Sequence, residues 1–132
     1  MDMKTFVSDC RVSSVLNKDA KMYGKKYLFD GNEETCWSSD QGSPQWIAVM
    51  FKDEFLLNKL VIQFQGGFCG KDCQIEIQKS DGEECVVKFY PEDVNTIQEF
   101  PLEPVTAKRV RIVFTSSTDF FGRIVIYSLL FL

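Results

Sequence analysis

Apolar residues in this chain recur at every second position, in short runs separated by turn-forming residues. No window keeps the i, i+3, i+4 spacing of an amphipathic helix for more than about two turns. Leu60, Ile62 and Phe64 alternate with Val61, Gln63 and Gln65, and Gly66-Gly67 ends that run. Ile75 and Ile77 alternate with Gln74, Glu76 and Gln78, and Val110, Ile112 and Phe114 with Arg109, Arg111 and Val113. Successive side chains of a strand point to opposite faces, so each run marks a strand with one face toward a core. Trp46–Phe51 is a compact apolar run that reads as a separate buried strand. Ser80-Asp81-Gly82-Glu83 reads as a hairpin turn leading to Cys85, Val87 and Phe89, because Asp-Gly tolerates positive φ. Pro91, Pro101 and Pro104 are expected to interrupt the following stretch. Ile124–Leu132 is apolar on both faces apart from Ser128 and is expected to be a central strand. One helical turn is expected around Asn17–Tyr23. Six or more short strands without a helical period predict an all-β chain, an antiparallel sandwich or barrel.

The chain has 132 residues, about one domain's worth, and no linker, repeat or low-complexity run divides it. Residues 1–132 are therefore read as a single domain. Twelve Phe within a 45% hydrophobic composition are ample for one core. The formal net charge of −4 gives no charge-driven reason to bind nucleic acid or an anionic membrane directly.

Histidine is absent. That removes Ser-His-Asp and Cys-His nucleophiles, a histidine base and histidine-ligated zinc. The adjacent acids Glu33-Glu34, Asp53-Glu54, Glu83-Glu84 and Glu92-Asp93 do not form a ready dyad, since strand neighbours face opposite ways. The expectation is a non-enzymatic chain. Five cysteines, Cys10, Cys36, Cys69, Cys73 and Cys85, are an odd number. Residues 1–8 lack the apolar stretch of a secretion signal. Free thiols in a reducing compartment, nucleus or cytoplasm, are expected.

The most informative stretch runs from Leu28 to Ser39, with Asp30-Gly31-Asn32 as a tight polar turn presenting Thr35, and with Trp37 followed by Gln45-Trp46. Trp37 and Trp46 are both expected in the core, on their apolar flanks. Asp30, Gly31, Thr35, Trp37, Gln45 and Trp46 in this order resemble the discoidin, or coagulation-factor C-type, family. Lys71–Ile77 with Ser80-Asp81-Gly82 resembles that family's mid-domain strand and turn, and Ala107-Lys108-Arg109-Val110-Arg111-Ile112 is similar to one of its later strands. The resemblance implies a galactose-binding-like jelly roll, an antiparallel β-sandwich.

Other segments, among them Ser13–Asn17, Gln63–Phe68, Phe89–Asp93 and Thr118–Arg123, resemble a branch of small nuclear-receptor-associated proteins. That resemblance implies an orphan nuclear receptor as partner and repression of receptor-driven transcription by hindering its DNA binding; a monomer is expected. A carbohydrate-binding module and a scaffold subunit of an intracellular complex are the alternatives. The family's binding loops correspond to Asn17–Tyr27, Ser38–Pro44, Gly66–Asp72 and Ser116–Gly122. Tyr23, Lys25, Lys26, Phe68, Phe120 and Phe121 are the candidate partner-contacting residues there; the competing expectation is that Phe68, Phe120 and Phe121 plug the end of the core. Some relatives hold a structural calcium at the Asp-Gly turn. Asp30, Asn32 and Thr35 are the residues that would contribute to one, set against a self-capped turn, and no other cofactor is expected.

Overall fold

The computed structural model describes residues 2–132. Its strands are β1 (Val7–Val12), β2 (Trp37–Ser38), β3 (Gln45–Phe64), β4 (Cys73–Lys79), β5 (Glu84–Phe89), β6 (Ile97–Phe114) and β7 (Val125–Phe131). One four-residue helix, α1 (Ala20–Tyr23), sits among short 3-10 turns, including Lys25–Leu28. All pairings are antiparallel, in the order β2-β7-β3-β6-β4-β5, with β1 also on β3.

β3 and β6 build both layers. The first half of β3 pairs with β1 and with Arg109–Phe114 of β6; its second half pairs with β7 and with Ile97–Pro101. β4 and β5 extend the first layer beyond β6. Between the two halves the β3–β6 register breaks twice, between Met50 and Phe55 and between Leu57 and Lys59. Such irregularities bend a strand pair, and here they mark the passage from one layer to the other. Trp46–Phe51 and Leu60–Phe64 therefore belong to one strand of twenty residues, not two. Nor do Pro101 and Pro104 end a strand: they lie in β6 beside the second register break, where ladder donors are not required.

β7 departs from its expected central place. β3 flanks it on one side, and on the other it has only the two residues of β2. Its second apolar face is accounted for by cover: the Lys25–Leu28 turn packs on it, and Leu28 is buried. The same turn contacts β1, so it closes the gap between the edges of the two layers.

The core is one cluster of apolar side chains from both layers. Trp37 and Phe64 meet Phe114 across it, with ring centroids at 6.5 and 5.9 Å. At the bend, Phe51 stacks on Phe55 at 4.7 Å and meets Phe131 edge-on at 5.5 Å. The predicted hairpin is present: Gly82 has φ +89°, and its N–H donates to the Lys79 carbonyl.

The two tryptophans part company. Trp37 is fully buried, and its Nε1 donates to the Ser14 carbonyl at 3.0 Å. Trp46 is only half-buried, on the outer face of β3, and the inward position belongs to Gln45. The expectation of a core Trp46 fails because the inward series of β3 is Gln45, Ile47, Val49 and Phe51, all buried.

Candidate functional site

Four connections leave the sandwich at the end opposite the bend. They are residues 38–44 before β3, 66–72 between β3 and β4, 90–96 between β5 and β6, and 116–122 after β6. Residues 13–14 join them, since Val12 pairs with Ile47 near the start of β3.

Gln45 holds one side of this rim together. Its Oε1 accepts from the Ser13 and Ser14 hydroxyls at 2.5 and 2.8 Å, and its Nε2 donates to the Asp40 and Gly42 carbonyls at 3.1 and 2.9 Å. The two hydroxyls in turn accept from the Trp46 and Asp40 backbone N–H groups. A buried amide satisfied at both ends fixes the loops it joins. From there the 38–44 loop reaches the 116–122 loop, with Gly42 N–H donating to the Phe121 carbonyl at 2.8 Å. Gly122, at φ +86°, passes so close that a Cβ would lie 2.7 Å from the Gly42 carbonyl carbon and oxygen. Only glycine fits both its angle and that approach.

On the other side, the 116–122 loop binds the 66–72 loop. Thr118 N–H donates to the Cys69 carbonyl, Cys69 N–H to the Thr118 hydroxyl, and Lys71 N–H to the Ser116 carbonyl. The 90–96 loop completes the rim, a contribution the sequence reading missed. Asp93 accepts from Gly67 N–H and Asn95 from Gly66 N–H, both at 2.7 Å. The Gly67 hydrogen bond is the main reason the Asp93 carboxyl is held below its ordinary range. An Asp-x-Asn opposite a Gly-Gly was the available signal, since those side chains satisfy exposed turn amides.

This frame carries exposed aromatics. Phe120 is 93% exposed and Phe121 54%, edge to face with centroids at 5.3 Å. They stand on the rim and do not plug the core. Phe68 is half-buried, with the Arg123 guanidinium 4.9 Å from its ring centre, within cation–π range. Arg123 is held by Asp119, which accepts from both its Nε and its backbone N–H at 3.1 Å. Burial pushes the Asp119 carboxyl up, but these hydrogen bonds outweigh it, and the net shift is downward. Phe68 and the Phe120-Phe121 pair thus sit on two adjoining loops of the rim.

Tyr23, Lys25 and Lys26 belong to a different segment. Lys25 and Lys26 are exposed and Tyr23 half-buried, and Lys26 Nζ lies 5.0 Å from the Tyr27 ring centre. The Tyr27 hydroxyl donates to the Lys21 carbonyl, closing that segment on itself. Among the described residues, no hydrogen bond, ion pair or ring contact joins it to the Phe68–Phe121 surface.

At the Asp-Gly turn, both Asp30 oxygens are engaged: one accepts from Asn32 N–H at 3.0 Å, the other from the Thr35 hydroxyl at 2.5 Å. Among the described residues no cluster of three His, Cys, Asp or Glu forms there or elsewhere. Calcium takes six to eight oxygens, several of them charged. One carboxylate already spent on its own turn does not fit that demand.

The five cysteines are unbridged. Burial raises four of the thiols: Cys10 to about 11, Cys69 to about 12, and Cys73 and Cys36 in the same direction. Thiols kept protonated are poor nucleophiles.

Comparison with known proteins fits this geometry. The sequence matches the F5/8 type C domain over residues 11–126. The chain belongs to the F5/8 type C family. It is 50% identical over 121 residues to the zebrafish (Danio rerio) nuclear receptor 2C2-associated protein, covering 90% of this chain and 86% of that one. The human (Homo sapiens) protein of that name is 48% identical over 120 residues, with the same coverage. Among solved structures, an F5/8 type C domain from Bacteroides fragilis superposes with a TM-score of 0.84 at 15% identity, covering 99% of this chain and 93% of that one. A family 32 carbohydrate-binding module from Clostridium perfringens NanJ, in complex with galactose, gives 0.80 at 17% identity, with coverage of 98% and 95%. At such identity the structural likeness speaks for the fold alone. The fold and the relatives' names are those of binding modules.

Proposed function

We propose that this domain is a non-enzymatic protein-interaction module that binds the nuclear receptor 2C2 and represses its transcriptional output by hindering its access to DNA. The observation that carries the reading is the near-50% identity, over nine-tenths of the chain, to proteins named for that association. Within it, the receptor contacts the rim at Phe68, Phe120 and Phe121, with Tyr23, Lys25 and Lys26 as a separate flanking contact. Exposed aromatics on loops held by a rigid frame suit such a role, because aromatic side chains are enriched at interface centres. The chain acts in the nucleus or cytoplasm, as the odd cysteine count suggests.

The test is co-precipitation of the receptor with the full chain, followed by a mobility-shift titration on a receptor-bound DNA element. Binding with loss of the receptor–DNA band supports the mechanism. Binding without that loss keeps the association and removes the hindrance. An exposed Phe120 on the rim of a fold shared with galactose-bound modules also supports a second, weaker reading, carbohydrate binding. Galactose titration followed by amide chemical shifts separates the two.

A further inference from the structure

β5 is an edge of the first layer, paired with β4 alone. An unpaired strand edge is a template for another strand, and folds ordinarily blunt it with proline, a bulge or cover. The other edges are blunted. β1 carries a register irregularity between Val7 and Asp9 and is contacted by the Lys25–Leu28 turn. β2 has only two residues, and the Ile97–Pro101 half of β6 ends in proline. β5 runs in unbroken register from Glu84 to Phe89, has no proline, and pairs with nothing on its outer side among the described residues.

The hairpin decides which backbone groups face out. Lys79 N–H donates to the Glu83 carbonyl at 2.8 Å, and Gly82 N–H to the Lys79 carbonyl. Hydrogen-bonded and non-bonded pairs alternate along an antiparallel ladder. Counted from Lys79 and Glu83, the bonded pairs are Ile77–Cys85, Ile75–Val87 and Cys73–Phe89. The N–H and C=O groups of Glu84, Val86 and Lys88 therefore point away from β4. The side chains of these three share the outer face of the layer. Val86 is 55% exposed, and Glu84 and Lys88 are exposed and in no ion pair among the described residues.

We propose that β5 pairs antiparallel with β5 of a second copy of this chain, about a twofold axis at Val86. Only residues whose backbone faces the free edge can bond, so Glu84, Val86 and Lys88 must meet one another. Centring on Val86 uses all three: Val86 meets Val86, Glu84 meets Lys88 and Lys88 meets Glu84, each pair exchanging two hydrogen bonds. Moving the centre to Cys85 or Val87 leaves Lys88 or Glu84 without a strand partner. Charge selects the same register, because opposite charges directly across a ladder are favourable and like charges are not. Glu83, next along, meets Phe89 and no second acid. On the inner face, half-buried Cys85 of one copy meets half-buried Val87 of the other. A twofold contact closes on itself, so the product is a dimer and not a fibre. The antiparallel pairing sets the two rims at opposite ends of it. This dimer stands against the expectation of a monomer and does not rest on the receptor reading.

Sedimentation equilibrium of the full chain, kept reduced, tests it at concentrations up to about 1 mM, a range suited to so small an interface. The mean mass should rise with concentration from that of one chain toward that of two. Val86→Pro removes the outward N–H at the axis and leaves the β4 ladder intact. It should weaken the dimer at least about tenfold with Tm close to that of the native chain. Lys88→Glu sets like charges across the edge and should also weaken association, less so at high salt. Adding Glu84→Lys to Lys88→Glu exchanges the charges and should restore it, which reads the same contact should Val86→Pro not fold. Phe120→Ser should associate like the native chain, separating the edge from the exposed aromatics of the rim. The proposal is overturned by a native chain that stays monomeric, which would leave the edge to a strand of another protein. It is equally overturned by a folded Val86→Pro variant that dimerises as the native chain does, or by a charge exchange that fails to restore what Lys88→Glu loses.

Discussion

Replacing Gln45 by leucine, which keeps its bulk and removes its polar ends, should loosen the rim without touching the exposed aromatics. Gln45 is 4% exposed, and its side chain makes hydrogen bonds to Ser13, Ser14, Asp40 and Gly42 and a longer one, 3.5 Å, to the Gln41 carbonyl. Each is worth about 1 kcal/mol net, and buried partners left unpaired cost about 1–3 kcal/mol each. The Ser13 and Ser14 hydroxyls still accept from the Trp46 and Asp40 N–H groups, but they lose the acceptor for their own protons. The Gly42 carbonyl, in an exposed loop, can turn to water. The two bonds donated by these hydroxyls are therefore poorly replaced, while the Asp40 carbonyl keeps the Ser39 hydroxyl, and a loss of about 2–4 kcal/mol follows. For a chain of this size that is a fall of roughly 8–15 °C in Tm.

Urea denaturation measures the free energy, and amide hydrogen exchange locates the damage. Protection should fall first at Ser13, Asp40 and Trp46 and remain in β4 and β5. The Phe121 end of the rim should also loosen, because Gly42 donates to the Phe121 carbonyl. A loss below about 0.5 kcal/mol, the range of an ordinary surface change, would refute the assignment of Gln45 as the tie between these loops. So would uniform loss of protection across the sandwich.

Other outcomes follow from the same geometry. Trp37→Ala should destabilise the domain by about 3–5 kcal/mol, whereas Trp46→Ala should cost about 1 kcal/mol or less, being half-exposed; paired urea curves read the difference. A Phe120→Ser, Phe121→Ser double variant should melt like the native chain yet weaken receptor co-precipitation, and unchanged capture would move the contact off the rim. Denatured protein handled anaerobically should titrate five thiols, whereas in the native state Cys69 and Cys73, at 0% and 3% exposure, should react last with a disulfide reagent. The carboxyls of Glu76, Asp93 and Asp119 are depressed in the fold, so the stability they contribute is present above their unfolded values of 4.5, 3.8 and 3.8 and is lost as pH falls through the lower folded values. Acid titration of Tm should therefore show a steeper drop below about pH 4 for the native chain than for Asp119→Asn.

How much of this was legible beforehand depends on the range of the interaction involved. Alternation at Leu60–Phe64, Ile75–Ile77 and Val110–Phe114 gave the strands correctly, because a half-buried strand writes its two faces into every second residue. The Asp81-Gly82 hairpin was equally local. Continuity was not. Whether Trp46–Phe51 and Leu60–Phe64 are one strand depends on β6 running alongside both, a pairing between residues about 35 to 65 positions apart. Pro101 and Pro104 misled for the same reason: a proline breaks a strand only where a partner needs its N–H, and the register break removes that need. Trp46 shows the limit most sharply. Its apolar flanks are those of a core residue, but phase in a strand is absolute, and one position decides between core and surface. Here the inward place goes to Gln45, a polar residue whose burial makes sense only once Ser13, Ser14 and the 38–44 loop surround it. The rim was visible as loops with aromatics; what joins them, Asp93 to Gly67 and Gln45 to Ser14, was not. Placing Trp46 outward also turns a supposed core residue into part of an open sheet face beside Val113, its partner across β3 and β6.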